Sequence, residues 1–338
     1  MANTLDRELQ PPKDGRSELA CKSEGWKDNG ESAMNNGSDG RSRRESTVDL
    51  IVKRLRSVMV AAILFSMFNT LAGQPASFWL DPERAIRGDG LGLHNSVNHT
   101  FEFFLSRGWG PYALSSLIYL ALAFVVVSIL PSKAALVAGL SCIFGHYYGA
   151  GNWLAVRWSL GFTGVGVYAV LLSAAIAWAF FPIPDQMSDR ILQRLRWVMM
   201  GAMLFDPFVT LLGQPRSYWA HPETVLEGNP FWRWFMVRGW QDYVLMDLLY
   251  CLGALWLVSV APRFYAAVIL FTFTFGHFGG GSNWFFYVWR LGMEAPVIYG
   301  IVLSSTIVFL SFRRSENLDS MVDHSAVEPS RVPGPVCC

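Results

Sequence analysis

The stretch FGHYYGAGNW at residues 144–153 returns as FGHFGGGSNW at residues 275–284. The chain around these two stretches repeats as well. Residues 101–161 align with residues 232–292 at an offset of 131, with 23 identities in 61 positions. Both copies also contain the tripeptide RGW upstream of the repeated stretch. Agreement in one register over this length predicts that the chain contains two copies of one structural unit.

A second pair of segments extends the duplication towards the N-terminus. Residues 53–88 align with residues 193–228 at an offset of 140, with 19 identities in 36 positions. Both copies read RLR near their start and then GQPxS(F/Y)WxxPE, which begins at Gly73 and at Gly213. The offsets of 140 and 131 differ by nine, so we expect a nine-residue insertion in the first copy, near residues 89–98.

The composition restricts the class of protein. Of the 338 residues, 52% are hydrophobic and 16% are charged. The charges concentrate at the two ends, so that only about 11% of residues 50–312 are charged, against roughly a quarter in soluble proteins. This deficit excludes an ordinary cytosolic enzyme, a nucleic-acid-binding protein and a disordered chain. It predicts a polytopic membrane protein in contact with the lipid bilayer.

Apolar segments of about 17–20 residues, each long enough to cross a bilayer core as a helix, follow one another through the middle of the chain. They lie at residues 57–73, 111–130, 134–150, 162–181, 197–213, 243–261, 264–280 and 295–312. The sequence therefore predicts an all-α membrane protein with eight transmembrane helices, arranged as two tandem parallel four-helix repeats.

The predicted repeats occupy residues 50–182 and residues 190–312, and a polar tail flanks them at each end. Residues 1–49 contain almost no aliphatic side chains and cannot offset their chain entropy, so we expect them to be disordered. Residues 313–338 are expected to form a second disordered tail. Because residues 1–49 also lack the apolar region of a signal peptide, the first apolar segment is expected to target the chain to the membrane.

The distribution of basic residues predicts the orientation. Four helices are an even number, so each repeat begins and ends on the same side of the membrane. The segments on that side hold ten Lys and Arg residues, whereas the opposite segments hold eight, balanced by eight acidic residues. The positive-inside rule therefore predicts that both termini are cytoplasmic. We expect an integral protein of the plasma membrane or of an inner membrane.

The GQP motif has two open interpretations. Gln74 and Gln214 each follow a glycine that is expected to end a helix and precede a proline that cannot continue it. In the first interpretation the motif is a helix stop followed by a tryptophan at the membrane interface. In the second, the two glutamines line the mouth of a binding site, because a simple helix stop does not require glutamine.

The GHxxGxxNW motif also has two open interpretations. His146 and Asn152 in the first copy, and His277 and Asn283 in the second, are spaced to lie on one face of a helix with the glycine and tryptophan of the motif. Glycines and polar side chains join helices in lipid, which favours a helix–helix seam. Ionisable residues inside a membrane are costly, which favours a functional histidine.

The second copy contains two carboxylates, Asp206 and Asp247, where the first copy has serines. One interpretation gives each a local role: Asp206 eases a kink at Pro207, and Asp247 pairs with Arg238 or with another local partner. In the other interpretation both belong to a functional site, because carboxylates at membrane depth are kept for proton or ion exchange.

The predicted depths bring several polar residues together. Asp247 and His277 are expected at similar distances from the outer surface, and Tyr250 lies on the same helix face as Asp247. We therefore predict that Asp206, Asp247, His277 and Tyr250 form one buried polar cluster suited to proton exchange.

Two modification signals are also present. Asn98 begins a glycosylation sequon in the predicted outer loop, and the terminal Cys337 and Cys338 are candidates for lipidation. For both, an unmodified side chain is the alternative. The sequence contains no nucleotide-binding loop, zinc-protease motif or serine-hydrolase motif.

Three functions stay open. The parallel repeats and the polar cluster predict a transporter or a channel-like protein that moves a small molecule or protons. His146 and His277 would instead serve a membrane-embedded enzyme or a haem or metal protein, provided that they approach each other. The aromatic outer segments would serve a structural or assembly role. The sequence does not identify a cofactor.

Overall fold

The structure is a computed structural model that describes residues 36–88, 99–181 and 189–312. Within these ranges the regular secondary structure is helical, as the composition predicts. The α-helices are α1 (Asn36–Ala72), α2 (Pro82–Gly88), α3 (His99–Leu105), α4 (Trp109–Ile129), α5 (Ser132–Asn152), α6 (Gly161–Phe180), α7 (Asp189–Leu212), α8 (Pro230–Met236), α9 (Trp240–Val260), α10 (Arg263–Asn283) and α11 (Glu294–Phe312). Asn98, Cys337 and Cys338 lie outside the described residues.

Seven stretches of helix in the described ranges are long and apolar enough to cross a membrane, so the chain is a multi-pass integral membrane protein. They are Val48–Ala72, Trp109–Ile129, Gly161–Phe180, Asp189–Leu212, Trp240–Val260, Arg263–Val288 and Glu294–Phe312. The remaining predicted segment, 134–150, falls on α5, which has 21 residues. This helix is less apolar than the others, because its second half is rich in glycine and tyrosine and also contains histidine and asparagine.

Helix α1 begins at Asn36, inside the N-terminal tail for which the composition predicts disorder. Residues 36–49 are therefore helical in the structure. The apolar part of α1 provides a nucleus, and each further residue then adds one hydrogen bond for each residue fixed. The rest of that tail, residues 1–35, and the whole tail 313–338 lie outside the described residues.

Helix packing within residues 45–312, as far as the structure describes them, links the two halves of the chain. Helix α6 lies along α10, and α11 lies along α5, so that the last helix of each half packs on the other half. Between them, α5 and α10 meet through aromatic rings. The ring of Phe144 lies 4.5 Å from that of Phe275 and 4.8 Å from that of Phe278, while the ring of Tyr147 lies 4.8 Å from that of Phe275.

The two repeated motifs contact each other in both halves. A side chain at Gly73 would press against the ring of Trp153, and a side chain at Gly213 would collide with the ring of Trp284. Each glycine therefore allows the tryptophan that follows α5 or α10 to pack on the end of α1 or α7. This contact explains why the glycine of GQP and the tryptophan of GHxxGxxNW occur together in both copies.

The repeated RLR triplet supplies hydrogen bonds to the ends of other helices. In the first copy, Arg54 Nη1 donates to the carbonyl oxygen of Trp178 at 3.1 Å, and Arg56 Nη2 donates to that of Val127 at 3.1 Å. These acceptors lie in the last turns of α6 and α4, where carbonyls have no partner within the helix. A cation at a helix C-terminus is also favoured by the helix dipole.

The second copy makes the equivalent bonds. Arg194 Nη1 donates to the carbonyl oxygen of Leu310 at 3.2 Å, and Arg196 Nη2 donates to that of Val258 at 3.3 Å. These acceptors lie in the last turns of α11 and α9. Four helices therefore end on the side of the bundle where the RLR triplets lie.

We predict that Arg196→Gln lowers the free energy of unfolding by about 1–3 kcal/mol, because the substitution removes a charge-assisted bond to a carbonyl in the last turn of α9. Thermal unfolding in detergent measures the change. Lys53→Gln is the control, since Lys53 is an exposed basic residue next to the RLR triplet of the first copy. Equal effects of the two substitutions would contradict this role of Arg196.

Candidate functional site

A carboxylate and an imidazole meet inside the second half of the bundle. Asp206 Oδ2 on α7 lies 2.9 Å from His277 Nδ1 on α10. The side chain of His277 is 10% exposed and that of Asp206 is 18% exposed, so water reaches the pair only to a small extent. Two residues 71 positions apart in sequence are therefore joined by a hydrogen bond between membrane-spanning helices.

Gly280 makes room for this pair. A Cβ atom at Gly280 would collide with the carboxylate of Asp206. His277 and Gly280 are one helical turn apart on α10, so the histidine binds the carboxylate while the glycine lets it approach the helix. In the first half, Ser66 Oγ would lie 3.9 Å from a Cβ atom at Gly149, which is an ordinary contact distance. In both halves the glycine of the HxxG spacing thus lies against a side chain from the first long helix of the same half.

Asp247 on α9 faces the same region. Its side chain is buried, and its carboxylate interacts electrostatically with His277 and with Asp206. Cys251, one turn further along α9, places its Sγ atom 3.9 Å from Asp247 Oδ2. Arg238, one of the local partners considered for Asp247, instead places its Nε 3.9 Å from Asp242 Oδ2 at the start of α9.

Aromatic side chains cover the pair on the α9 side. The ring of Tyr250 lies 5.8 Å from that of His277. Trp232 of the short helix α8 packs against Tyr250 at 5.4 Å and against Tyr243 at 5.7 Å between ring centres. Tyr243 in turn forms a hydrogen bond with the side chain of Thr210 on α7. Trp232 therefore ties α8 to the helix that carries Asp247.

The glutamine of the second GQP motif holds a loop beside the site. Gln214 Nε2 donates to the carbonyl oxygens of Thr210 at 3.1 Å and Leu226 at 3.0 Å, and Gln214 Oε1 accepts from Leu226 N at 2.9 Å. Its amide thus joins the end of α7 to the loop before α8. Gln74 makes the corresponding bond within its own helix end, from Nε2 to the carbonyl of Thr70 at 3.0 Å. Both glutamines are buried.

Glu227, the next residue in that loop, was not identified from the sequence. It is half-buried, and its Oε1 accepts a bond from Asn229 N at 2.7 Å. Burial is the main cause that raises the pKa of the Glu227 carboxyl to about 7; the negative charge of Asp206 adds to it, and the backbone bonds oppose it. A third carboxylate therefore titrates near neutral pH within electrostatic range of Asp206.

The other predicted residues lie apart from this cluster. His146 packs its ring 5.6 Å from that of Tyr119, on α5 in the first half. Asn152 and Asn283 are the last residues of α5 and α10. Asn283 Oδ1 is buried without a hydrogen-bond partner in the described part of the chain.

The arrangement does not favour a haem or metal shared by the two histidines. His146 contacts Tyr119 in one half and His277 contacts Asp206 in the other, while the interface between α5 and α10 is filled by aromatic rings. Across residues 36–88, 99–181 and 189–312, no three His, Cys, Asp or Glu side chains are placed to hold one metal ion.

No protein-family model, curated protein or solved structure matches the chain. Its function is therefore inferred from the geometry of this cluster.

We predict that Gly280→Ala lowers stability by about 1–3 kcal/mol, because the added methyl group collides with the carboxylate of Asp206. Gly149→Ala is the matched control. There the added methyl group meets only Ser66 Oγ at an ordinary distance, and the higher helix propensity of alanine is gained. Thermal unfolding of both variants in one detergent decides the matter. A Gly280→Ala protein as stable as Gly149→Ala would contradict the close approach.

We also predict that stability falls as the pH rises from about 4.5 to about 7, in part through Glu227. Its pKa is higher in the folded than in the unfolded chain, so the folded state holds the extra proton and loses this contribution as the carboxyl ionises. In Glu227→Gln the melting temperature should depend less on pH within that window. A melting temperature that depends on pH as strongly in Glu227→Gln as in the wild type would contradict this contribution.

Proposed function

We propose that the chain is a membrane transporter that exchanges protons for a small cation through its second half. The observation that carries the proposal is the 2.9 Å contact between Asp206 and His277 within membrane-spanning helices. Ionisable residues at such depth are costly, and they mark ion and proton pathways in membrane proteins.

The balance of charge favours a cationic substrate. Asp206 and Asp247 on the helices and Glu227 in the loop supply up to three negative charges, whereas His277 supplies at most one positive charge. A proton or a small cation compensates the excess. Because both neutralise the same carboxylates, binding of one disfavours binding of the other, which is the requirement for exchange.

The imidazole offers a place for the proton. With Nδ1 donating to Asp206 Oδ2, the neutral ring has an acceptor at Nε2 that gains or loses a proton without breaking this bond. Trp232 and the Glu227 loop cover this region at the end of the bundle away from the RLR triplets. We infer that protons and cations enter past this cover.

We further propose that the chain crosses the membrane eight times, as two parallel four-helix repeats. Eight spans are supported by the length of α5, which equals that of α4. Two repeats are supported by the Gly–Trp and RLR contacts, which recur in both halves. They are also supported by the short π-helical turns that follow α5 at Trp153–Arg157 and α10 at Trp284–Val288. With eight spans, both termini lie on the side of the RLR arginines, which we assign to the cytoplasm of a plasma or inner membrane.

The test is a flux measurement in proteoliposomes with an imposed pH gradient and a fluorescent pH indicator. A panel of small inorganic and ammonium cations is added outside. We expect at least one cation to dissipate the gradient with the wild-type protein. Asp206→Asn and Asp247→Asn should lower the rate about 100-fold, the scale expected when a positioned proton-transfer group is lost.

Ser116→Asn supplies the matched control, because Ser116 holds the position of Asp247 in the first half. Its flux should equal that of the wild type. Flux that persists unchanged in Asp247→Asn, or a gradient that no cation of the panel dissipates, would contradict the proposed function.

A further inference from the structure

An apolar groove runs along the lipid-facing surface of the first half, between α1 and α6. Its volume is about 710 Å³. The lining includes Val58, Ala61 and Phe65 of α1 and Gly164, Val167 and Leu171 of α6. Val167 and Leu171 are more than half exposed, so the groove opens sideways towards the bilayer. From Leu160 to Trp178 the groove follows 18 residues of helix, about 27 Å, most of a bilayer core.

Basic side chains lie at one end of the groove, and apolar side chains line the opposite end. At the end near Trp178, Arg54 lies with its guanidinium 4.7 Å from the centre of the indole ring. The carbonyl of Trp178 accepts one of the five N–H donors of that guanidinium. Lys53 is exposed beside Arg54, and Ser57 begins the groove wall on α1. At the other end, Leu154 and Leu160 line the groove.

We propose that this groove is a binding site for an anionic phospholipid. One acyl chain lies in the groove between α1 and α6, and the headgroup phosphate accepts hydrogen bonds from Arg54. The apolar lining matches the chain, and the guanidinium matches the phosphate in both charge and geometry. Basic residues beside membrane helices attract anionic lipids of the cytoplasmic leaflet.

The second half differs at the outer end of the corresponding surface. Phe285 holds the position of Leu154, and its ring packs 5.9 Å from the rings of both Phe205 and Tyr299. Phe205 and Tyr299 correspond to Phe65 and Tyr168, which pack 4.7 Å apart in the groove of the first half, so the ring of Phe285 is the added group. Arg194 matches Arg54 and makes the same bond to the end of a helix. The second half thus has the equivalent arginine, but it has a phenylalanine where the first half has Leu154 at the outer end of the groove.

The experiment measures lipid binding by native mass spectrometry of the full chain. Phosphatidylglycerol and phosphatidylcholine with identical acyl chains are titrated separately. We expect the wild-type protein to bind phosphatidylglycerol about fivefold more tightly, the scale of one cation near a membrane surface. Leu154→Phe should weaken the binding of both lipids, because it introduces the ring that fills the second half.

Variants of the arginine separate headgroup recognition from folding. Arg54→Gln should abolish the preference between the two lipids, and Arg54→Lys should retain it. Arg194→Gln removes the equivalent helix-end bond without touching the groove, so it should keep the preference even if stability falls. Equal binding of both lipids by the wild type would overturn the proposal. So would a preference that survives Arg54→Gln, or binding that is unchanged in Leu154→Phe.

Discussion

A carboxylate inside a membrane is stable only beside a group that compensates it, and for Asp206 that group is His277, 2.9 Å away. This contact constrains its surroundings. It requires α7 and α10 to pack closely, and it requires glycine at position 280, where any side chain would collide with the carboxylate. It also provides the charges with which Asp247 and Glu227 interact. The polar cluster and the packing of two long helices thus depend on one pair of side chains.

The two halves share a frame and differ in chemistry. In both, a glycine at the end of the first long helix receives a tryptophan, and paired arginines bind the ends of two other helices. The serine at position 66 becomes an aspartate at position 206 without any change in this frame. The first half has a lateral groove that is lined at its outer end by Leu154, whereas the second half has Phe285 at that position. One half therefore presents charge to its interior and the other presents an apolar channel to the lipid.

Seven of the eight predicted membrane segments agree with helices of the described residues, because length and hydropathy alone define such a segment. The eighth, 134–150, forms a long helix that is less apolar than the others. The proximity of Asp206 and His277 also follows from the alignment of the two copies and from depth along each helix. Glu227 could not be predicted, since its place depends on how an irregular loop turns back over α7, and no spacing rule describes that path. The role of Gln214 in holding this loop was also not predictable, because it follows from the bonds between its side-chain amide and the backbone of Leu226. Likewise, the pairing of Arg238 with Asp242 rather than Asp247 depends on side-chain direction at the start of α9.

The exchange of terminal helices between the halves restricts how this protein can move. Since α6 lies along α10 and α11 lies along α5, a rigid-body rotation of one half against the other would have to separate two extensive helix contacts at once. For the proposed transporter, alternating access to the polar cluster by rocking of two independent bundles would therefore be unfavourable. Among the elements around the polar cluster, α8, α9 and the loop held by Gln214 lie outside this interlocked centre. Opening and closing of the site would accordingly be a local motion at one end of the molecule, with α5, α6, α10 and α11 acting as a stationary scaffold.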